Sequence, residues 1–181
     1  MKKEVIDCLA GALKDEKKGK KHKGLLIVSP DQRASERYMI KAKKNLELCD
    51  LYKEMGYDYK IPEEWFYTLY YCALAILSKF GIESRSQRCT AAFLRYVKEK
   101  SLIEFKDEFI DRITVHSVKE KRSDVDERET ARYGSSVTIS EVESKYEHMM
   151  SVCRRAVSQA EEIVYSKNDF GIPDQLMTSG P

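Results

Sequence analysis

The sequence of 181 residues predicts an all-α protein, an up-and-down bundle of about five helices preceded by an N-terminal helix. Three observations predict it. Apolar residues recur at helical spacing through most of the chain, and capping residues bracket the segments so patterned. Only 8 Gly and 4 Pro are present, few for an all-β chain with many tight turns and few for a Gly-rich cofactor loop. At roughly 150 residues per domain the length corresponds to one domain with extensions. The expected division is 1–24 for the first helix and a lysine-rich linker, 25–167 for the bundle, and 168–181 for a loose tail.

Val5, Leu9 and Leu13 recur every four residues and make residues 3–18 a short amphipathic helix, ended by the linker from Gly19 to Gly24. Leu25 to Val28 is β-prone but too brief to need a sheet. Ser29 as N-cap, Pro30 at the first helical position and Gln32 three residues after the cap mark the next start. Tyr38, Ala42, Leu46, Cys49 and Tyr52 then keep one face apolar to about Met55, and Gly56 stops the helix. Pro62, Glu63 and Glu64 open another helix with acids at its positive end. Between Trp65 and Phe80 nearly every position is apolar or aromatic, so this helix is expected at the centre, running to Gly81.

Ser84 to Gln87 is a further capping signal, followed by the stripe Cys89, Ala92, Phe93, Tyr96 and Val97. Leu102, Phe105, Phe109 and Ile113 define a fourth bundle helix, and Ser117 to Glu127 is charged and unpatterned. Ser140 to Glu143 caps a long last helix in which Val142, Tyr146, Met149, Cys153, Val157, Ala160 and Val164 hold one face to about residue 166. Burying such stripes against one another is what a helical bundle does.

Composition narrows the function classes. Apolar residues make up 42% and charged residues 34%, against about 45–50% and 25% in ordinary domains, which describes a globular chain with a highly charged surface. No apolar stretch approaches the ~18–20 residues of a spanning helix, and acids interrupt any signal core at the N-terminus. No membrane association and a cytoplasmic location are therefore expected. Net charge is +2, but residues 1–24 hold eight Lys against four acids, leaving the rest of the chain slightly acidic. The run Lys17 to Lys23 attracts phosphates by counterion release or serves as a solvated linker. Cys8, Cys49, Cys72, Cys89 and Cys153 lie on apolar stripes with no ligand spacing, so they read as reduced core residues in a reducing compartment, and no metal or cofactor is expected.

In order along the chain, Lys23-Gly24-Leu25-Leu26, Ser29-Pro30-Asp31, Ala42-Lys43-Lys44-Asn45-Leu46, Phe66-Tyr67-Thr68-Leu69-Tyr70-Tyr71, Gly81-Ile82-Glu83-Ser84 and Cys89-Thr90-Ala91-Ala92 resemble the HEPN domain, particularly its archaeal small-protein branch. Arg128-Glu129-Thr130-Ala131-Arg132-Tyr133 looks like that family's Arg-x-x-Ala-Asp-Tyr segment. The similarity covers about residues 23–166. It implies a cytoplasmic prokaryotic homodimer that associates with nucleotide or RNA. It also implies an accessory role beside a minimal nucleotidyltransferase, in the manner of a toxin–antitoxin pair. Departures exist: Tyr71 and Gln87 stand where relatives carry His, and Arg132 replaces the family's Asp.

Candidate residues follow. Arg85 and Arg88, read as the first turn of a helix, sit where positive charge is unfavourable, which invites a phosphate or an acidic residue, with Gln87 nearby to hydrogen-bond. Arg128, Arg132 and Tyr133 form a second polar cluster. The family's ribonuclease members carry Arg-x4-6-His, and the nearest match here is Arg112 with His116, which share a helix face and would supply phosphate binding and a general base without metal. His116 also fits as a core or interface histidine, and Glu108 as the partner of Arg112. A purely structural interaction module is the third reading. Trp65, Phe66, Tyr67, Tyr70 and Tyr71 are read as core packing in preference to a base-stacking platform, with the Tyr71 hydroxyl expected to meet Gln87.

Overall fold

A computed structural model of the chain describes residues 1–114, 139–168 and 170–177. The architecture is an all-α helical bundle with one small two-stranded sheet. Its elements are α1 (Lys2–Lys17), β1 (Leu25–Ile27), α2 (Gln32–Glu54), α3 (Ile61–Lys79), β2 (Ile82–Ser84), α4 (Gln87–Glu99), α5 (Asp107–Arg112), α6 (Ile139–Val164) and α7 (Asp174–Met177). A 3-10 turn over Asp58–Lys60 joins α2 to α3 in an αα-hairpin.

As its composition requires, α3 is the hub. It packs against α2 and α6 on two sides and against α4 and α5 on a third. Trp65, Phe66, Leu69, Cys72, Ala73 and Ile76 are all at most 1% exposed. Along α6 the whole expected stripe, from Val142 to Val164, is buried. At about 25 cal/mol per Å2 of apolar surface removed from water, this hub supplies much of the driving force for folding.

Several local expectations change. The run after the linker does form a sheet, because β1 pairs antiparallel with β2, Leu25 opposite Ser84 and Ile27 opposite Ile82. Two glycines make this possible. Gly81 leaves α3 at φ +75°, and a Cβ there would meet the Val28 carbonyl oxygen at 2.5 Å; at Gly24 a Cβ would overlap the Cys8 carbonyl oxygen of α1. The cap of α2 is Asp31, not Ser29: its Oδ1 accepts the Ala34 N–H at 2.8 Å, so Ser29 and Pro30 belong to the approach.

The helix expected from Leu102 to Ile113 is only the short α5. Ser101 adopts φ 56°, its N–H returns to the Lys98 carbonyl, and the Leu102 N–H returns to that of Val97. This Schellman-type end of α4 turns Leu102 outward, 41% exposed, and Ile103 and Phe105 enter the core from a non-helical connection.

α1 and the described residues 170–177 are both docked on the bundle. Cys8 of α1 and Cys89 of α4 form a disulfide across 81 residues, so two of the five cysteines are not reduced core residues, and cysteine usage gives no argument for a reducing compartment. Cys49, Cys72 and Cys153 are free and buried, where burial raises the Cys49 and Cys72 thiol pKa values. Residues 170–177, expected as a loose tail, lie on the bundle instead. Phe170 packs on Phe80 with ring centroids 4.8 Å apart, Leu176 is buried, and the Tyr96 hydroxyl donates to Gln175 Oε1 at 3.2 Å. No helix among the described residues is long and apolar enough to cross a membrane.

Candidate functional site

The sheet carries the first part of the site. β1 presses the linker against β2, and this buries His22, only 2% exposed, although it sits in a lysine run. The Gly24 N–H donates to His22 Nδ1 at 3.4 Å. That assigns Nδ1 as the acceptor, so Nε2 carries the proton and donates to Glu83 Oε1 at 3.2 Å. The same Glu83 oxygen accepts from Arg85 Nε at 2.9 Å. Burial acts to raise the Glu83 pKa, but the bonds from His22 and Arg85 outweigh it and hold the carboxyl below its usual range.

Arg85 lies one residue before Ser86, the N-cap of α4, whose Oγ accepts the Cys89 N–H. It is therefore not in the first turn, as the sequence suggested. It stands between two clefts and lines both. One, of about 450 Å3, is also lined by Gly19, Lys20, Lys21, His22 and Glu83. The other, of about 480 Å3, runs along the start of α2 and the end of α3 past Ser29, Asp31, Tyr38, Leu74 and Ser78. Arg88 is in the first turn of α4 and faces Glu4 of α1 at 4.0 Å, so an acidic side chain of the chain itself answers its position there. Gln87 is the first residue of α4 and half-buried.

The second part is aromatic. Tyr38 of α2 stacks on Tyr71 of α3 with ring centroids 6.0 Å apart and planes 23° apart, and Tyr71 stacks on Tyr67 at 5.7 Å and 27°. All three are half-buried. The Lys41 ammonium lies 5.6 Å from the Tyr38 ring centroid and 5.3 Å from that of Tyr71, in cation–π range. The central aromatic run thus divides. Trp65 and Phe66 are core, while Tyr67 and Tyr71 join Tyr38 in a ladder at the surface, and the Tyr70 hydroxyl bonds Thr90 of α4. It is Tyr70, not Tyr71, that meets α4, and no hydrogen bond joins Tyr71 to Gln87 among the described residues.

At one end of the ladder sits Glu64. Burial, reinforced by the neighbouring Glu63 charge, raises its pKa to about 7, so half of it carries a proton near neutrality. The Tyr71 pKa is raised too, by burial first and by Tyr67, Tyr38 and Glu64 after it.

Other candidates are elsewhere. Arg112, at the end of α5, contacts Glu108 at 3.6 Å, Met149 Sδ at 3.1 Å and His148 Nε2 at 3.4 Å. His116, Arg128, Arg132 and Tyr133 lie outside the described residues. No group of three or more His, Cys, Asp or Glu side chains that could hold a metal ion occurs among the described residues.

Sequence reasoning found Arg85 but missed His22, Glu83, Tyr38 and Lys41 as its companions. The available signals were a histidine inside a lysine run beside a β-prone stretch, and a tyrosine with a lysine three residues on. Neither says which distant residues they meet. Compared as a whole with protein-family models and with curated proteins, the chain matches none of them.

Proposed function

We propose that the protein is a HEPN-like accessory module that associates with nucleotide or RNA, working as a homodimer beside a minimal nucleotidyltransferase of toxin–antitoxin type. The observation that carries the binding part is Arg85 standing between two clefts, with Lys20 and Lys21 in one and Tyr38 in the other. The linker cleft holds Lys20, Lys21 and Arg85 against Glu16 and Glu83, a cationic excess that attracts phosphate, and a guanidinium offers several donors in a fixed fork. Only the Nε of Arg85 is engaged among the described residues. The dimer and the nucleotidyltransferase come with the family resemblance and are tested separately, by mass in solution and by co-purification with the neighbouring gene product.

Binding is tested with ATP and with a short RNA at low salt, on the wild type and on a variant carrying Arg85→Ala and Arg88→Ala. The reading expects binding by the wild type and its loss in the variant. Equal binding by both removes Arg85 from the site.

A second reading, a metal-independent ribonuclease, is favoured by one contact. The Arg112 guanidinium lies 3.4 Å from the exposed His148, which puts a phosphate-binding cation beside a potential general base. RNA cleavage in EDTA that His148→Ala or His116→Ala abolishes would replace the accessory reading. Absence of cleavage leaves the first reading in place.

A further inference from the structure

We infer that the tyrosine ladder and the two clefts form one track for single-stranded RNA, with bases continuing the stack at its end rings, Tyr38 and Tyr67, and phosphates held by Lys41, Arg85 and the linker lysines. This rests on the nucleotide- or RNA-binding reading above and names the form of nucleic acid that the site takes.

Three half-buried rings with planes within 27° of their neighbours make a stacking surface where the most apolar helix of the fold is left uncovered. Base–aromatic stacking tolerates any sequence because every base has a π-face. The rings are reached from solvent, since the exposed Lys41 lays its ammonium over two of them. A base arriving there takes the place of that ammonium, which is then at hand for the adjacent phosphate.

Charge follows the ladder. Arg33, Arg37, Lys41 and Lys44 are spaced so that one exposed face of α2 carries all four cations alongside Tyr38. Tyr38 and Arg85 line the same cleft, and Arg85 lines the next one together with Lys20 and Lys21, so the aromatic and cationic surfaces are continuous.

Acids lie on the route too, and Glu16 lines the linker cleft with Glu83, where Lys20, Lys21 and Arg85 outnumber them. Asp31 caps α2 and faces Arg37 at 3.8 Å, and Glu83 is engaged by His22 and Arg85. Glu63 and Glu64 stand past Tyr67 on α3, which marks the end where a strand turns away. A duplex hides its base faces and leaves the ladder nothing to stack on, so the arrangement selects single strands.

The test uses fluorescence anisotropy at low salt with a labelled RNA of about 12 nucleotides, within the range of known single-strand sites, the same RNA annealed to its complement, and ATP. The expected result is that wild-type protein binds the single strand about tenfold more tightly than the duplex. Tyr67→Leu, at a ring that lines neither cleft, should lose about tenfold in single-strand affinity while ATP binding persists. Should that variant fail to fold, Lys41→Glu carries the test, because Lys41 is exposed and its charge reversal should weaken single-strand binding by a similar factor. Equal affinity for single strand and duplex, or single-strand binding indifferent to these changes but lost on Arg85→Ala, overturns the track and leaves the binding reading intact. Failure of both ATP and RNA to bind wild-type protein overturns both.

Discussion

The two sides of α3 differ more than their sequence does. One side carries Trp65, Leu69, Cys72 and Ile76, enclosed by α2 and α6 and at most 1% exposed. The other carries Glu63, Tyr67, Tyr70, Tyr71 and Ser78, every one of them half-buried. Both sides are rich in large rings or alkyl groups, so apolar content alone does not separate them. Residue chemistry does: every tyrosine of α3 falls on the open stripe, where a hydroxyl can reach water or a polar neighbour, while the tryptophan is enclosed. The lesson is that an aromatic run on a central helix can be core on one side and a surface on the other, and that the difference should appear as stability on one side and binding on the other.

The sharpest attempt to break this contrast is Trp65→Ala. Removing a fully enclosed ring leaves a cavity between α3 and α6, and the expected loss is about 3–5 kcal/mol in chemical denaturation. A loss below about 1 kcal/mol would mean that the enclosed side is not what holds the bundle together.

Next in size is the clamp of α1 on α4. Cys8→Ser with Cys89→Ser opens a loop closed over 81 residues and should cost about 2–4 kcal/mol, read as a lower denaturation midpoint than wild type without reductant. If midpoints of wild type and variant coincide under non-reducing conditions, α1 is held on α4 by packing alone.

The pH dependence of Glu64 sharpens the picture of the open side. Its folded pKa, about 7, exceeds the unfolded carboxylate value, so the folded state holds the proton more firmly than the unfolded chain. Its contribution is complete below the ordinary carboxylate range and is lost as pH rises through about 7. Glu64→Gln, which keeps the shape without the charge, should therefore gain in Tm relative to wild type between about pH 5 and pH 8. A constant difference across that window would show that Glu64 titrates normally.

The smallest expected effect on stability is that of Tyr67→Leu, within about 1 kcal/mol because the ring is half-buried and leucine retains much of the packing. A loss as large as that of Trp65→Ala would erase the distinction between the two sides.

Much of the fold was legible beforehand. Periodicity located α1, α2, α3, α4 and α6, and the acids after Pro62 marked a helix start, because these signals are local and one helix turn suffices to read them. Misreadings arose where a local pattern had two outcomes. Leu102, Phe105, Phe109 and Ile113 keep helical spacing, yet the left-handed Ser101 ends α4 so that Leu102 faces water and only the last part becomes α5. Ser29 has the residue type of a cap and Pro30 follows it, yet α2 begins at Gln32 and it is Asp31 that accepts the Ala34 N–H. Of the site, Arg85 was legible as a cation near a cap; its position between two clefts was not.

By itself the sequence determined that this protein is a bundle of amphipathic helices around the segment from Ile61 to Lys79, since spacing and caps act over a few residues at a time. The tertiary structure alone decided that Cys8 meets Cys89, that β1 meets β2 and buries His22 against Glu83, and that Tyr38 continues the row begun by Tyr67 and Tyr71. Each of those encounters joins residues tens of positions apart, where loop closure and the packing of whole helices, rather than local propensity, select the partner.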